Sequence, residues 1–151
     1  MIQFEQSAVI KRYGTLPKEE QVIKYLKALK VIIGADGQIA EAELNALKKG
    51  MKRMGAPEDL VRQIEEFDIS GVKLESVLPT LTPGGRRARY LLRDAIDISR
   101  ADGTYAAEEK AAVARAAQLL GVSEEVTRSI EALVELEHAV NHLRKAIFPK
   151  S

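Results

Sequence analysis

One spacing constrains this chain more than any other feature. Asp36 and Asp102, Glu43 and Glu109, and Gly55 and Gly121 each lie 66 residues apart. The same offset, without gaps, sets Leu26 on Leu92, Ile32 on Ile98, Leu47 on Val113 and Met54 on Leu120. Turn residues, acidic residues and apolar stripe coincide together, which marks an internal repeat. Two copies of one unit are expected to pack against each other about a pseudo-twofold axis. The first spans about residues 18–67 and the second about 84–148, within one domain covering 1–151.

The repeated unit reads as helical. From Lys18 to Gly34, the residues Val22, Tyr25, Leu26, Leu29, Ile32 and Ile33 recur at three- and four-residue steps, the signature of an amphipathic helix. Asp36-Gly37 breaks it, because glycine takes the left-handed conformation that ends helices. Leu44, Leu47, Met51 and Met54 mark a second helix ending at Gly55, and Leu60, Val61, Ile64 and Phe67 a third. A short opening helix is expected over Phe4–Arg12, and a single turn over Leu74–Leu78 within the loose stretch Asp68–Gly85. The second half restarts at Thr82-Pro83, read as an N-cap with proline at the first helical position, with Gly84-Gly85 as a flexible hinge. Leu91, Leu92, Ala95 and Ile98 face the core until Asp102-Gly103, and Val113, Ala116, Ala117 and Leu120 lead to Gly121. Ser123 then caps a long final helix, whose expected core stripe is Ile130, Leu133, Leu136, Val140, Leu143 and Ile147. No segment alternates with period two, so an all-α bundle of about seven helices is predicted, with no sheet.

The repeated turn Ala-Asp-Gly, with a glutamate seven residues past its aspartate, carries the chemistry. Glu43 and Glu109 fall at the third position of the following helix, the acidic slot of a capping box. Ala40 and Ala106 stand where Ser or Thr would complete that box. A glutamate there still gains about 0.3–1 kcal/mol from the helix dipole. Asp36 and Asp102 lie just beyond helix C-termini, where negative charge is disfavoured. Two readings stand open: an Asx-turn to backbone N–H groups, or a divalent cation held by converging carboxylates. All-oxygen donors suit Ca²⁺ or Mg²⁺, although no EF-hand loop is present.

The paired Ile32-Ile33-Gly34-Ala35-Asp36-Gly37…Glu43 and Ile98-Ser99-Arg100-Ala101-Asp102-Gly103…Glu109 resemble the TerB-like family, the tellurite-resistance domain that is also similar to the N-terminal region of certain membrane-anchored co-chaperones. The resemblance covers about residues 18–148. It implies an all-helical double repeat with an acidic divalent-metal site at Asp36, Glu43, Asp102 and Glu109. It further implies no catalytic activity, a role in the stress response, and protein partners associated with membranes. This chain departs from the family pattern at Ala40 and Ala106, and Glu41-Ala42 becomes Ala107-Glu108, so outer acidic ligands would be asymmetric or absent.

Other candidates carry less. Glu131, Glu135, His138 and His142 share one helical face, and His138 with His142 at i, i+4 can take Zn²⁺. A di-iron site would need a second Glu-x-x-His, and the chain has two histidines in all. That face reads as solvated. Arg86, Arg87, Arg89 and Arg93 cluster, but Asp94 and Asp97 follow, and Arg93–Asp97 is spaced as an ion pair. A formal net charge of +1 gives no field for nucleic acid. Without cysteine there is no thiolate nucleophile or thiolate-ligated zinc. With no nucleophile or redox ligand set to assemble, the chain is not expected to be an enzyme. No signal peptide or membrane-spanning run is legible, so a cytoplasmic location is expected, peripheral at the inner membrane where partners are membrane-associated. The competing reading is a helical protein-interaction module whose Ala-Asp-Gly turns are purely structural.

Overall fold

Four helices of this protein stop where the Asp-Gly turns and lone glycines place them. The computed structural model describes residues 18–150. Among these are seven helices and no strand: α1 (Glu19–Ile33), α2 (Glu41–Arg53), α3 (Glu58–Glu66), α4 (Leu74–Val77), α5 (Arg86–Ser99), α6 (Ala107–Leu119) and α7 (Glu124–Ile147). The helix expected over Phe4–Arg12 lies outside the described residues. None of the described helices is long and apolar enough to cross a membrane.

The 66-residue offset carries into the backbone. α2 and α6 are 13 residues each, beginning at Glu41 and Ala107, and α3 and α7 begin at Glu58 and Glu124. Gly37 and Gly103 have φ of 90° and 87°, the left-handed region that only glycine occupies without strain. At the ends of α2 and α6, Ala56 N–H donates to the Met51 carbonyl at 3.0 Å and Val122 N–H to the Ala117 carbonyl at 2.8 Å. Each closes its helix with the same back-bonded turn.

α5 is the central helix, packing against α1, α2, α6 and α7. Its Leu91, Leu92 and Ile96 are fully buried with Ile32 and Ile33 of α1, Leu47 of α2, Ile64 of α3, Val113 of α6 and Val134 of α7. Tyr25 of α1 donates its hydroxyl to Asp94 of α5 at 2.7 Å, joining the first helices of the two halves.

The halves part at one position. Buried Lys30 donates from Nζ to the carbonyls of Ile64 (2.8 Å), Glu65 (2.7 Å) and Phe67 (2.7 Å), closing α3. The position 66 residues on is Ile96, which is buried and has no donor to give. There α7 continues to Ile147.

Two expectations are corrected. α5 starts at Arg86 behind Gly85, not at Thr82-Pro83. Gly84 takes φ of 66°, which a helix cannot include, and donates its N–H to the Leu120 carbonyl at 2.8 Å. It is therefore a docked joint and not a flexible hinge. The core face of α7 is also different. Thr127, Ile130 and Val134 are buried, whereas Leu133, Leu136, Val140, Leu143 and Ile147 are 49–63% exposed. Contact with α5 selects the first set, and from Ala139 onward every described residue is exposed.

Candidate functional site

The two Ala-Asp-Gly turns solve the same backbone problem in the same way. Asp36 Oδ1 accepts the Gln38 N–H at 3.0 Å, and Asp102 Oδ1 accepts the Thr104 N–H at 2.9 Å. Both are Asx-turns, with the aspartates exposed and their Oδ2 atoms without a protein donor among the described residues. Seven residues past each aspartate, Glu43 Oε1 accepts the Ala40 N–H at 3.0 Å and Glu109 Oε1 the Ala106 N–H at 3.0 Å. These are the glutamate halves of capping boxes. The reciprocal half is missing, because alanine offers no acceptor.

The glutamates differ from ordinary caps in their surroundings. Glu43 is 3% and Glu109 2% exposed, and the Oε2 atom of each is buried with no hydrogen-bond donor. The Glu109 carboxyl lies within hydrogen-bonding reach of Glu43. Two carboxylates can share such a bond only when one carries a proton. Burial first, then the bond with Glu109, pushes the Glu43 pKa up to about 8, and the charges of Glu109 and Asp102 add to the effect. Glu43 behind the first turn and Glu109 behind the second thus lie within reach of each other.

The four residues expected to form an acidic site therefore divide into two kinds. Glu43 and Glu109 make a buried inner pair, with Asp102 close enough to act on Glu43. Asp36 and Asp102 stand outside at the turns. Among the described residues, no three carboxylate or imidazole groups form a ready cage. The inner pair presents two buried oxygens without a donor, which a shared proton or a hard cation could neutralise. Tyr105, four residues before Glu109, also belongs here. Its buried hydroxyl lies near Glu131 and Glu109, and burial followed by these carboxylates holds its pKa well above that of a free phenol.

The histidine face of α7 is not simply solvated. His138 Nε2 lies 2.7 Å from Asp97 Oδ1, Glu135 pairs with Arg100, and only His142 stands clear on the projecting part. The expected Arg93–Asp97 pair is replaced. Arg93 reaches Glu137 at 3.1 Å and Asp94 at 3.4 Å, because α7 brings its own carboxylate across while His138 takes Asp97. A second feature, a cleft of about 650 Å³, opens between α1, α2 and α5, floored by Leu26, Met51, Met54 and Ile98 with Arg53 at its rim.

Comparison with known proteins follows the same geometry. The family described as tellurite resistance protein TerB matches residues 25–132, which include both turns and both glutamates. A crystal structure of a tellurite resistance protein from Nostoc punctiforme superposes with a TM-score of 0.77 at 24% identity, covering 97% of this chain and 92% of that one. At that identity the likeness speaks for the fold. No curated protein matches the chain.

Proposed function

Because the chain belongs to the TerB family of tellurite resistance proteins, we propose that it is a non-enzymatic stress-response domain binding a divalent cation between its paired Ala-Asp-Gly…Glu motifs. The observation that supports this reading is the buried Glu43–Glu109 pair, with one undonated oxygen on each side. Two buried carboxylates facing each other repel unless something positive lies between them. Glu43 and Glu109 would hold the cation from within, and Asp36 and Asp102 would contribute their outward oxygens. A bound cation would supply charge neutralisation and a cross-link between the two turns. Oxygen donors alone favour Ca²⁺ or Mg²⁺ over softer metals.

A second reading has its own support. The Asx-turn bonds of Asp36 and Asp102 explain both aspartates without a ligand. A helical interaction module would then use the cleft between the halves for a protein partner.

Calorimetric titration with Ca²⁺, Mg²⁺, Mn²⁺ and Zn²⁺ separates the two. Wild type is expected to show saturable binding, Glu43→Gln/Glu109→Gln to lose it, and Asp36→Asn/Asp102→Asn to weaken it at least tenfold, about 1.4 kcal/mol. Titrations that are the same in all three proteins would leave the turns structural. Zn²⁺ retained by both of these double variants but lost in His138→Ala/His142→Ala would locate it on α7 instead.

A further inference from the structure

We propose that the projecting half of α7 is a homodimer seam, closed by the antiparallel α7 of a second copy of this chain. Leu133, Leu136, Val140, Leu143 and Ile147 follow one another at steps of three, four, three and four, the heptad spacing of a coiled-coil seam. They are 49%, 63%, 50%, 59% and 57% exposed. Within a globular body this stripe would be core. Here α7 leaves the body after His138, and every described residue from Ala139 to Lys150 is exposed. The nine helical residues Ala139–Ile147 have no neighbour among the described residues, and so short an unpacked segment is marginal in water. A continuous apolar stripe along it therefore calls for a second helix. Ala132, Ala139 and Ala146, seven residues apart along one flank, allow that helix to approach closely.

Charge chooses the occupant and its direction. Glu131, Glu135 and Glu137 fall in the half of the stripe nearest the body, and no acid follows them. Arg144, Lys145 and Lys150 occupy the far end. Glu137 and Glu135 already pair with Arg93 and Arg100. Glu131 faces Tyr105 within the body and Asp97 faces His138, so Glu137, beside Leu136 and Val140, is the acid that flanks the stripe. A parallel partner would set acid on acid and base on base. An antiparallel copy sets each basic end on the other's acidic shoulder. The register follows as well. With Leu136 opposite Ile147 of the second copy and Val140 opposite its Leu143, Glu137 meets Arg144. Moving to Leu136 opposite Val140 would bring the two Glu137 side chains together.

Sedimentation velocity on the full chain across a micromolar dilution series tests the seam. Wild type is expected at twice the 16.6 kDa chain mass. Leu136→Glu/Leu143→Glu, which alters only exposed positions, is expected at the single mass with unchanged helicity by circular dichroism. The absence of native cysteine makes direction testable. A mixture of Leu136→Cys and Ile147→Cys chains is expected to form the mixed disulfide dimer, whereas Ile147→Cys alone does not cross-link. A wild type that stays monomeric throughout overturns the proposal, whether another segment or another protein covers the stripe. So does a dimer that survives the double glutamate change, or one in which Ile147→Cys cross-links to itself faster than the mixture reacts.

Discussion

At Glu43 burial acts first, the carboxyl of Glu109 second, and the charges of Glu109 and Asp102 act in the same direction; only the Ala40 N–H opposes them. The carboxyl titrates near 8 in the folded protein, against 4.5 for an ordinary glutamate. The folded state therefore keeps a proton that the unfolded chain releases. Stability from this group is complete below about pH 4.5 and is lost as pH rises through about 8. Thermal unfolding followed with a chelator present is thus expected to show a Tm that falls across this window. Glu43→Gln keeps an acceptor for Ala40 and adds donors toward Glu109, so it should flatten the fall and stabilise the protein at the alkaline end. A Tm unaffected by pH in wild type would mean that the pair carries no shared proton. The sequence displays the acid but not its burial. Glu43 sits at the spacing of a helix cap, and a cap is ordinarily solvated. What buries it is a turn 66 residues away. Asp36 and Asp102, which look out of place at helix ends, each have one oxygen bonded to the backbone N–H two residues on.

Lys30 explains why the third helix of one half is short and that of the other long. Its ammonium meets three carbonyls at the end of α3, the groups a helix C-terminus leaves without partners. Burial lowers its pKa, while Glu65 and Asp68 partly restore it. Lys30→Met retains the apolar stem and removes all three donors. It is expected to cost about 2–3 kcal/mol in urea denaturation, because buried carbonyls are then left unpaired. A loss below about 0.5 kcal/mol, the range of ordinary surface substitutions, would remove Lys30 as the cap. Elements as a whole were legible: glycines, Asp-Gly turns and Ser123 place six helices to within a few residues. Two readings failed for reasons outside local sequence. Thr82-Pro83 has the form of a helix start, yet Gly84 is held in the left-handed region by its bond to Leu120. The stripe on α7 has core spacing, yet α5 selects the neighbouring face, and periodicity alone does not say which face finds a partner.

How the halves are held together is a matter for the whole molecule, and it depends on the joint as much as on the repeat. The connection from the first half passes Thr82-Pro83-Gly84 directly over the end of α6. A Cβ on Gly121 would sit 2.9 Å from the Pro83 Cβ and 3.3 Å from its Cα, and one on Gly84 would sit 3.0 Å from the Gly121 carbonyl oxygen. Neither close approach could be inferred from the helical repeat, which accounts for Gly121 as a terminator only. Comparison with a second repeat glycine separates the two demands. Gly103 has φ of 87° and open space where a Cβ would go; Gly121 has φ of 69° and the Pro83 backbone against it. Gly103→Ala is expected to cost only the left-handed strain, about 1–2 kcal/mol. Gly121→Ala should carry that strain and, in addition, push the connection off α6, for a further loss of about 1–3 kcal/mol. Urea denaturation of the two variants checks the difference. Equal losses would show that the connection yields without cost. A larger loss at Gly121 would mean that the glycine repeated for helix termination serves at its second occurrence as the contact that fixes one half on the other.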